Sequence, residues 1–370
     1  MPVATLPPVP RWVVPSPTKE DLDWEQLPVI DFSQASTPEG RAELAPRVRD
    51  VMRTVGFMCI VNHGLTQSQT ARMFDIGDVV FSKVPEEEKL QYASNLKEDA
   101  TRIGYKPRQV FMTDNGVRDQ HEQYAVHRTV FDRQKHPKAL EPFLPELRAF
   151  AEHNHYNVLH QILRLLALGM EIPEETFVKM HGFGAAGDSH VRWIKYYPLT
   201  EEDEVKTNHV WLRGHTEVTS PDAGTVTILY SQPIAALQIQ SPDTKWRWIK
   251  HIDNALVVNI GTSMEILSGG FYKATIHRVV QPPADQRGLI RLGMYYFALA
   301  DDDVKLAPVE SSVLKQEGEP SGSESGTTLT MGEFRKMRYR AFGLKEAKRT
   351  DTGKEEHIIV NGVVVVKYYN

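Results

Sequence analysis

The chain has 370 residues, 41% of them hydrophobic, with a formal charge of −5 and a pI near 6.3. That length can bury a large core, in one big domain or one domain with helical additions. Mild acidity with dispersed lysine and arginine argues against a nucleic-acid partner. The one cysteine, Cys59, excludes a disulfide framework and a thiolate metal site, and fits a reducing, cytoplasmic setting. Met1 to Pro17 is proline-rich and lacks the apolar stretch of a secretory signal, and no apolar run nears the roughly 20 residues of a membrane span. A cytosolic protein with no membrane partner is the expectation.

Residues 1–26 read as an irregular arm, with prolines at 2, 7, 8, 10, 15 and 17. Leu27 to Phe32 predicts a short strand, and Arg41 to Val55 an amphipathic helix with Leu44, Val48, Val51 and Val55 on one face. Gly56 ends it. Phe57 to Val61 predicts a buried strand, closed by Asn62-His63-Gly64. A second helix is expected over about 67–83, then a short one opening at Pro85-Glu86-Glu87-Glu88, where carboxylates suit the positive end of the helix dipole. Pro145 to Leu168 predicts one long helix, its core stripe Leu147, Phe150, Val158, Ile162, Leu165 and Leu166, stopped by Gly169.

From about His190 to Phe297 the texture changes to short β-rich runs separated by Gly, Pro, Asp and Asn. Helices followed by dense strands predict an α+β, mainly β fold: a β-barrel or jelly roll with helices packed outside. Further on, 316–330 reads as a loop, Met331 to Lys348 as a basic helix, and His357 to Val366 as a hairpin with Asn361-Gly362 at its turn. The chain thus divides into an arm (1–26), a helical region (27–185), a jelly-roll core (186–305) and a C-terminal loop, helix and hairpin (306–370).

The chemistry concentrates in three places: His215-Thr216-Glu217, His277 after Gly269-Gly270, and Arg291 in the apolar run from Leu289 to Phe297. Two imidazoles and a carboxylate, followed by a cation in a strand, are the inventory of a mononuclear Fe(II) facial triad with an anchor for an acidic cosubstrate. One face of such a metal is held by protein; the other stays open for O2 and an organic ligand. His-x-acid triplets are cheap: with 14 His and 48 acidic residues in 370, about two arise by chance. The second here is His251-Ile252-Asp253, but Asp253 lies only 24 residues before His277, against 60 for Glu217. His251 therefore reads as a turn residue. A guanidinium such as Arg291 in an apolar strand is costly to bury unless a carboxylate meets it.

These residues resemble the isopenicillin-N-synthase-like branch of the 2-oxoglutarate/Fe(II)-dependent oxygenases over about residues 27–305. The likeness rests on Leu27-Pro28-Val29-Ile30-Asp31-Phe32, Gly56-Phe57 through Asn62-His63-Gly64, Tyr196-Tyr197-Pro198, Val257-Val258-Asn259-Ile260-Gly261 and His277-Arg278-Val279. Trp246-Arg247-Trp248 and Gln281 through Arg287 resemble fungal, specialised-metabolism members in particular. The resemblance implies a double-stranded β-helix core. It implies His215, an acidic residue and His277 as iron ligands, and Arg291 with Tyr197 on the 5-carboxylate of 2-oxoglutarate.

Four departures from the family pattern stand out. An apparent five-residue insertion separates Glu217 from Gly224, so Asp222, which opens an Asp-x-Gly-x-x-Thr segment, competes with Glu217 for the iron. The extended-chain period favours Glu217, on the same face as His215. Arg-x-Ser becomes Arg291-Leu292-Gly293, which removes a hydroxyl from the cosubstrate site. Arg291 lies 14 residues after His277, and Arg287 sits nearer the family's usual spacing, although in a polar turn. Lys195 stands near where plant relatives often carry an asparagine that touches the cosubstrate.

The expectation is an Fe(II)- and 2-oxoglutarate-dependent dioxygenase. It would oxidise a C–H bond of a small organic substrate, an amino acid or specialised metabolite. Ferryl hydrogen abstraction would lead to hydroxylation, desaturation or ring closure. The segment from Gln109 to Thr129 is expected to line the substrate pocket. Two alternatives are an iron/O2 oxidase that uses no 2-oxoglutarate and a non-catalytic jelly-roll binding protein.

Overall fold

The computed structural model describes residues 6–94, 98, 100–110, 116–130, 134–215, 223–317, 328–341, 348–349, 355–360 and 363–368. The N-terminal half runs β1 (Val29–Asp31), α1 (Pro38–Thr54), β2 (Phe57–Val61), α2 (Gln67–Ser82), α3 (Glu86–Gln91), β3 (Gly104–Lys106), β4 (His121–His127), α4 (Leu144–Glu152) and α5 (His160–Gly169). The core adds β5 (His190–Tyr196), α6 (Glu201–Lys206), β6 (Val210–His215), β7 (Val226–Tyr230), β8 (Leu237–Gln240), β9 (Trp246–Trp248), β10 (Leu256–Ile260), α7 (Thr262–Leu267), β11 (His277–Val280) and β12 (Arg291–Ala298). Last come α8 (Ser312–Glu317), α9 (Met331–Ala341), β13 (Lys348–Arg349), β14 (Glu355–Val360) and β15 (Val363–Tyr368).

Two sheets face each other. The larger has the strand order β1-β2-β10-β7-β12-β5-β4-β3, the smaller β6-β11-β8-β9. Phe57 of β2 meets the His277 ring of β11 edge-on at 5.5 Å, and Tyr196 of β5 stacks on Trp211 of β6 at 6.3 Å. The space between the sheets is the barrel interior. Strand alternation sorts the larger sheet's side chains. Trp193 and Lys195 turn outward to α2, through Trp193 Nε1 to the Met73 carbonyl (3.1 Å) and Lys195 Nζ to Asp78 (2.6 Å). Gly77 makes room for that indole: a Cβ there would lie 2.1 Å from it. Arg291, Gly293, Tyr295 and Phe297 alternate to the other face, opposite Tyr196, Ile194, Arg192 and His190.

Several expectations shift at their edges. The helix predicted from Pro145 to Leu168 is α4 and α5 joined by a π-helical stretch, His153–Leu159. That wider turn seats Asn154 in the core, where its amide donates to the Phe150 carbonyl (2.9 Å) and its oxygen accepts from Tyr230 (3.0 Å). The helix expected to reach Lys348 is seen over Met331–Ala341, 342–347 lie outside the described residues, and Lys348–Arg349 is a strand. Gln316 and Glu317, expected in a loop, belong to α8; 318–327 of that loop lies outside the described residues. The hairpin over the tail forms with Val360 opposite Val363. The N-terminal arm is irregular but tied down: Trp12 N–H donates to Asp75 (2.7 Å) and Trp24 bridges Trp248. Among the described residues, no helix is long and apolar enough to cross a membrane.

Candidate active site

His277 opens β11 and pairs directly with His215, the last residue of β6. Residues directly opposite in an antiparallel pair share a face of the sheet, so two non-adjacent segments bring these two positions to one place. The His277 Nδ1 lies 3.0 Å from the Thr275 carbonyl. A carbonyl can only accept, so Nδ1 carries the proton and Nε2 the lone pair, the tautomer a metal ligand needs. Glu217 and Asp222 both lie outside the described residues.

Arg291 opens β12, paired with Tyr196 of β5. It is 1% exposed, and among the described residues no carboxylate forms an ion pair with it. Its Nε is buried without a partner there, Nη1 donates to the Tyr295 hydroxyl at 3.4 Å, and the guanidinium carbon sits 5.2 Å from the Tyr196 ring centre. A buried guanidinium held by two phenols and lacking a counter-charge on its own strands suits a bidentate carboxylate ligand. Arg287 is exposed.

Tyr197 is turned to a different partner. Its hydroxyl donates to the buried Glu122, which also accepts from Tyr105 (2.7 Å) and Lys89 (3.2 Å), and Arg108 covers its ring at 4.2 Å. The tyrosine beside Arg291 is Tyr196, one residue earlier. Burial pushes its phenol well above the ordinary range, so it stays protonated. Lys195 is spoken for by Asp78.

Three residues missed in sequence complete the interior. Arg192, opposite Tyr295, donates to His190 Nε2 (2.6 Å) and lies 4.2 Å over the Phe297 ring. His190 Nδ1 faces the Asp188 carbonyl at 2.6 Å, which fixes the tautomer that accepts from Arg192. His121 lines up beyond Tyr196 and is held neutral, first by burial and then by Lys106. A cleft between the sheets at this end is lined by Val117, His121, Tyr196, Leu199, Val210 and Trp211. Val117 and His121 fall in the segment expected at the pocket. The local signal for Tyr295 is period-two alternation from Arg291; Tyr196 has none, because it reaches Arg291 only through strand pairing.

His251 is accounted for by structure alone: Nε2 lies 2.9 Å from Asp253 and Nδ1 2.7 Å from the Ser231 hydroxyl.

Residues 27–145 match the family described as non-haem dioxygenase in morphine synthesis, N-terminal, and residues 189–299 match the 2OG-Fe(II) oxygenase superfamily. The chain belongs to the 2-oxoglutarate/Fe(II) oxygenase family. It is 28% identical to validamycin A dioxygenase of Streptomyces hygroscopicus subsp. limoneus, with 82% of this chain and 85% of that protein covered. It is 25% identical to the 2-oxoglutarate-Fe(II) type oxidoreductase hxnY of Emericella nidulans, covering 70% of this chain and 76% of that one. A full-length Neurospora crassa protein solved in complex with alpha-KG has a like fold, with a TM-score of 0.72 at 21% identity over 88% of this chain and all of that one. JOX2 in complex with 2OG, Fe and JA gives 0.64 at 20% identity, covering 90% of each chain. The fold is therefore the family's double-stranded β-helix with flanking helices, and the protein is a 2-oxoglutarate-dependent dioxygenase that uses Fe(II), 2-oxoglutarate and O2 on a small organic substrate.

Proposed function

We propose that His215, His277 and one carboxylate, Glu217 or Asp222, hold the Fe(II), and that Arg291 anchors the far carboxylate of 2-oxoglutarate. The buried Arg291 guanidinium, with Nε unpartnered and no ion pair among the described residues, carries this reading. When bound, iron and 2-oxoglutarate supply O2 activation for oxidation of a substrate C–H bond, releasing succinate and CO2. The chain's own part is positional. Thr275 fixes the His277 tautomer, Arg291 orients the cosubstrate, and Tyr196, Phe297 and Trp211 exclude water. Thr227 and Asn259 continue the row that Phe297 begins, across β7 and β10.

The substrate is a small amino acid or specialised metabolite, handled in the cytoplasm. A relative named for validamycin A, and like-folded structures holding thymine or JA, support that class. The deciding assay couples O2 consumption to succinate across a panel of such metabolites. Turnover without succinate would point instead to an iron/O2 oxidase.

A further inference from the structure

We infer that Tyr295, reaching back over Gly293, supplies the hydroxyl that the chain lacks at position 293 and binds the far carboxylate of 2-oxoglutarate together with Arg291. This rests on the reading of Arg291 as the cosubstrate anchor.

The sequence Arg291-Leu292-Gly293 removes a side-chain hydroxyl two residues after the arginine. A glycine inside a strand sacrifices packing and often marks a close approach by another group. Here the group is an aromatic ring. An ideal Cβ on Gly293 would lie 2.7 Å from Tyr295 Cε2, 2.7 Å from its Oη and 3.0 Å from its Cζ. The phenol thus fills the volume a residue-293 side chain would take, and its oxygen stands where that side chain would begin.

The hydroxyl is also placed for the role. Arg291 Nη1 faces it at 3.4 Å, and Arg291 itself pairs across the strands with Tyr196. A guanidinium only donates, so the Tyr295 oxygen accepts from Arg291 and retains a proton to give to an acceptor. A carboxylate arriving at Arg291 is such an acceptor. The ring cannot swing freely: it stacks on Phe297 at 5.5 Å and 20°, is 8% exposed, and stands opposite Arg192. Gly293 and Tyr295 are therefore one device, in which the absence of a side chain at 293 is what lets the phenol reach the arginine.

The test is calorimetric titration of the full chain loaded with Mn(II), using 2-oxoglutarate and 2-oxovalerate. The second has the same keto-acid head and chain length but a methyl in place of the far carboxylate. Tyr295→Phe is expected to weaken 2-oxoglutarate about tenfold or more, and to leave 2-oxovalerate within about twofold. Gly293→Ser alone should also weaken 2-oxoglutarate, because its side chain meets the ring. Gly293→Ser combined with Tyr295→Ala should recover affinity to within about threefold of the native chain, since it restores a hydroxyl and removes the obstruction. Unchanged 2-oxoglutarate affinity in Tyr295→Phe, or equal losses for both acids, would overturn the inference while an Arg291 dependence leaves the anchor standing. A native chain that does not distinguish the two acids would overturn both.

Discussion

Arg291 and Tyr196 face one another across β12 and β5, with the guanidinium carbon 5.2 Å from the ring centre and neither side chain exposed beyond 2%. Burying a charge without a partner costs several kcal/mol, which is why the proposed anchor role of Arg291 leads to a sharp expectation. Arg291→Ala should raise the 2-oxoglutarate concentration needed for half-maximal O2 consumption about 10- to 100-fold, from a charge-assisted contact worth about 1.5–3 kcal/mol. Arg287→Ala, at an exposed position, should leave it within about twofold. If the two variants exchange these phenotypes, the anchor is Arg287.

His215→Ala and His277→Ala should each lose iron, since two remaining ligands hold an open-faced site poorly. Iron content after anaerobic loading and desalting is the measurement. Native-level iron in both variants would refute the assignment. In the same assay, Glu217→Ala is expected to lose metal and turnover, and Asp222→Ala to lose only a modest part of activity. The opposite pattern would give the third ligand to Asp222.

His251→Ala and Asp253→Ala should retain iron and turnover. His251→Ala gives up bonds to Ser231 and Asp253, so its cost, about 1–2 kcal/mol, should appear in urea unfolding instead. Loss of metal from either variant while still folded would overturn this separation.

The core carries an acid sensitivity unrelated to the metal. His155 bonds Tyr296 and the His181 carbonyl, and His181 bonds the Phe177 carbonyl and faces the Thr225 hydroxyl. Burial lowers His155 from 6.5 to about 3 and His181 to about 4. The unfolded chain takes up both protons near pH 6.5, whereas the folded chain resists until far lower. The stability these residues contribute is full above about pH 6.5 and falls as pH drops toward 4, by up to about 1.4 kcal/mol per unit for each group. The urea midpoint measured at pH 7.5, 6.0 and 5.0 should fall steadily, and His155→Gln should flatten the fall. A midpoint insensitive to pH over that range would contradict the buried neutral state.

The helices and the strand-rich core are legible because each is written locally, as a helical stripe or a β-branched run, and the candidates His277 and Arg291 stand out by the same kind of local signal, a histidine after two glycines and a cation in an apolar strand. Which of Tyr196 and Tyr197 stands beside Arg291 is not legible locally, because it turns on the register of β5 against β12, which is decided by pairing between segments about 95 residues apart. Tyr295 was half visible. Period two from Arg291 already places it with Phe297, but nothing local says that a glycine at 293 invites its ring backward. The π-helical stretch was invisible for a like reason: Asn154 is drawn inward by Tyr230, a partner 76 residues away.

The larger sheet begins and ends with strands from the first third of the chain: β1 and β2 along one margin, β3 and β4 along the other. During synthesis these emerge well before β10 and β5, to which they pair, and β12, which carries Arg291, arrives later still. The edge of β2 away from β1 stays open until β10 begins at Leu256, 195 residues after Val61, so folding is slow and exposed to aggregation until then. A fragment covering only 186–305 would present two raw hydrogen-bonding margins at β10 and β5 and should come out of the ribosome sticky and insoluble. The oldest strands of each nascent chain must wait for partners made much later.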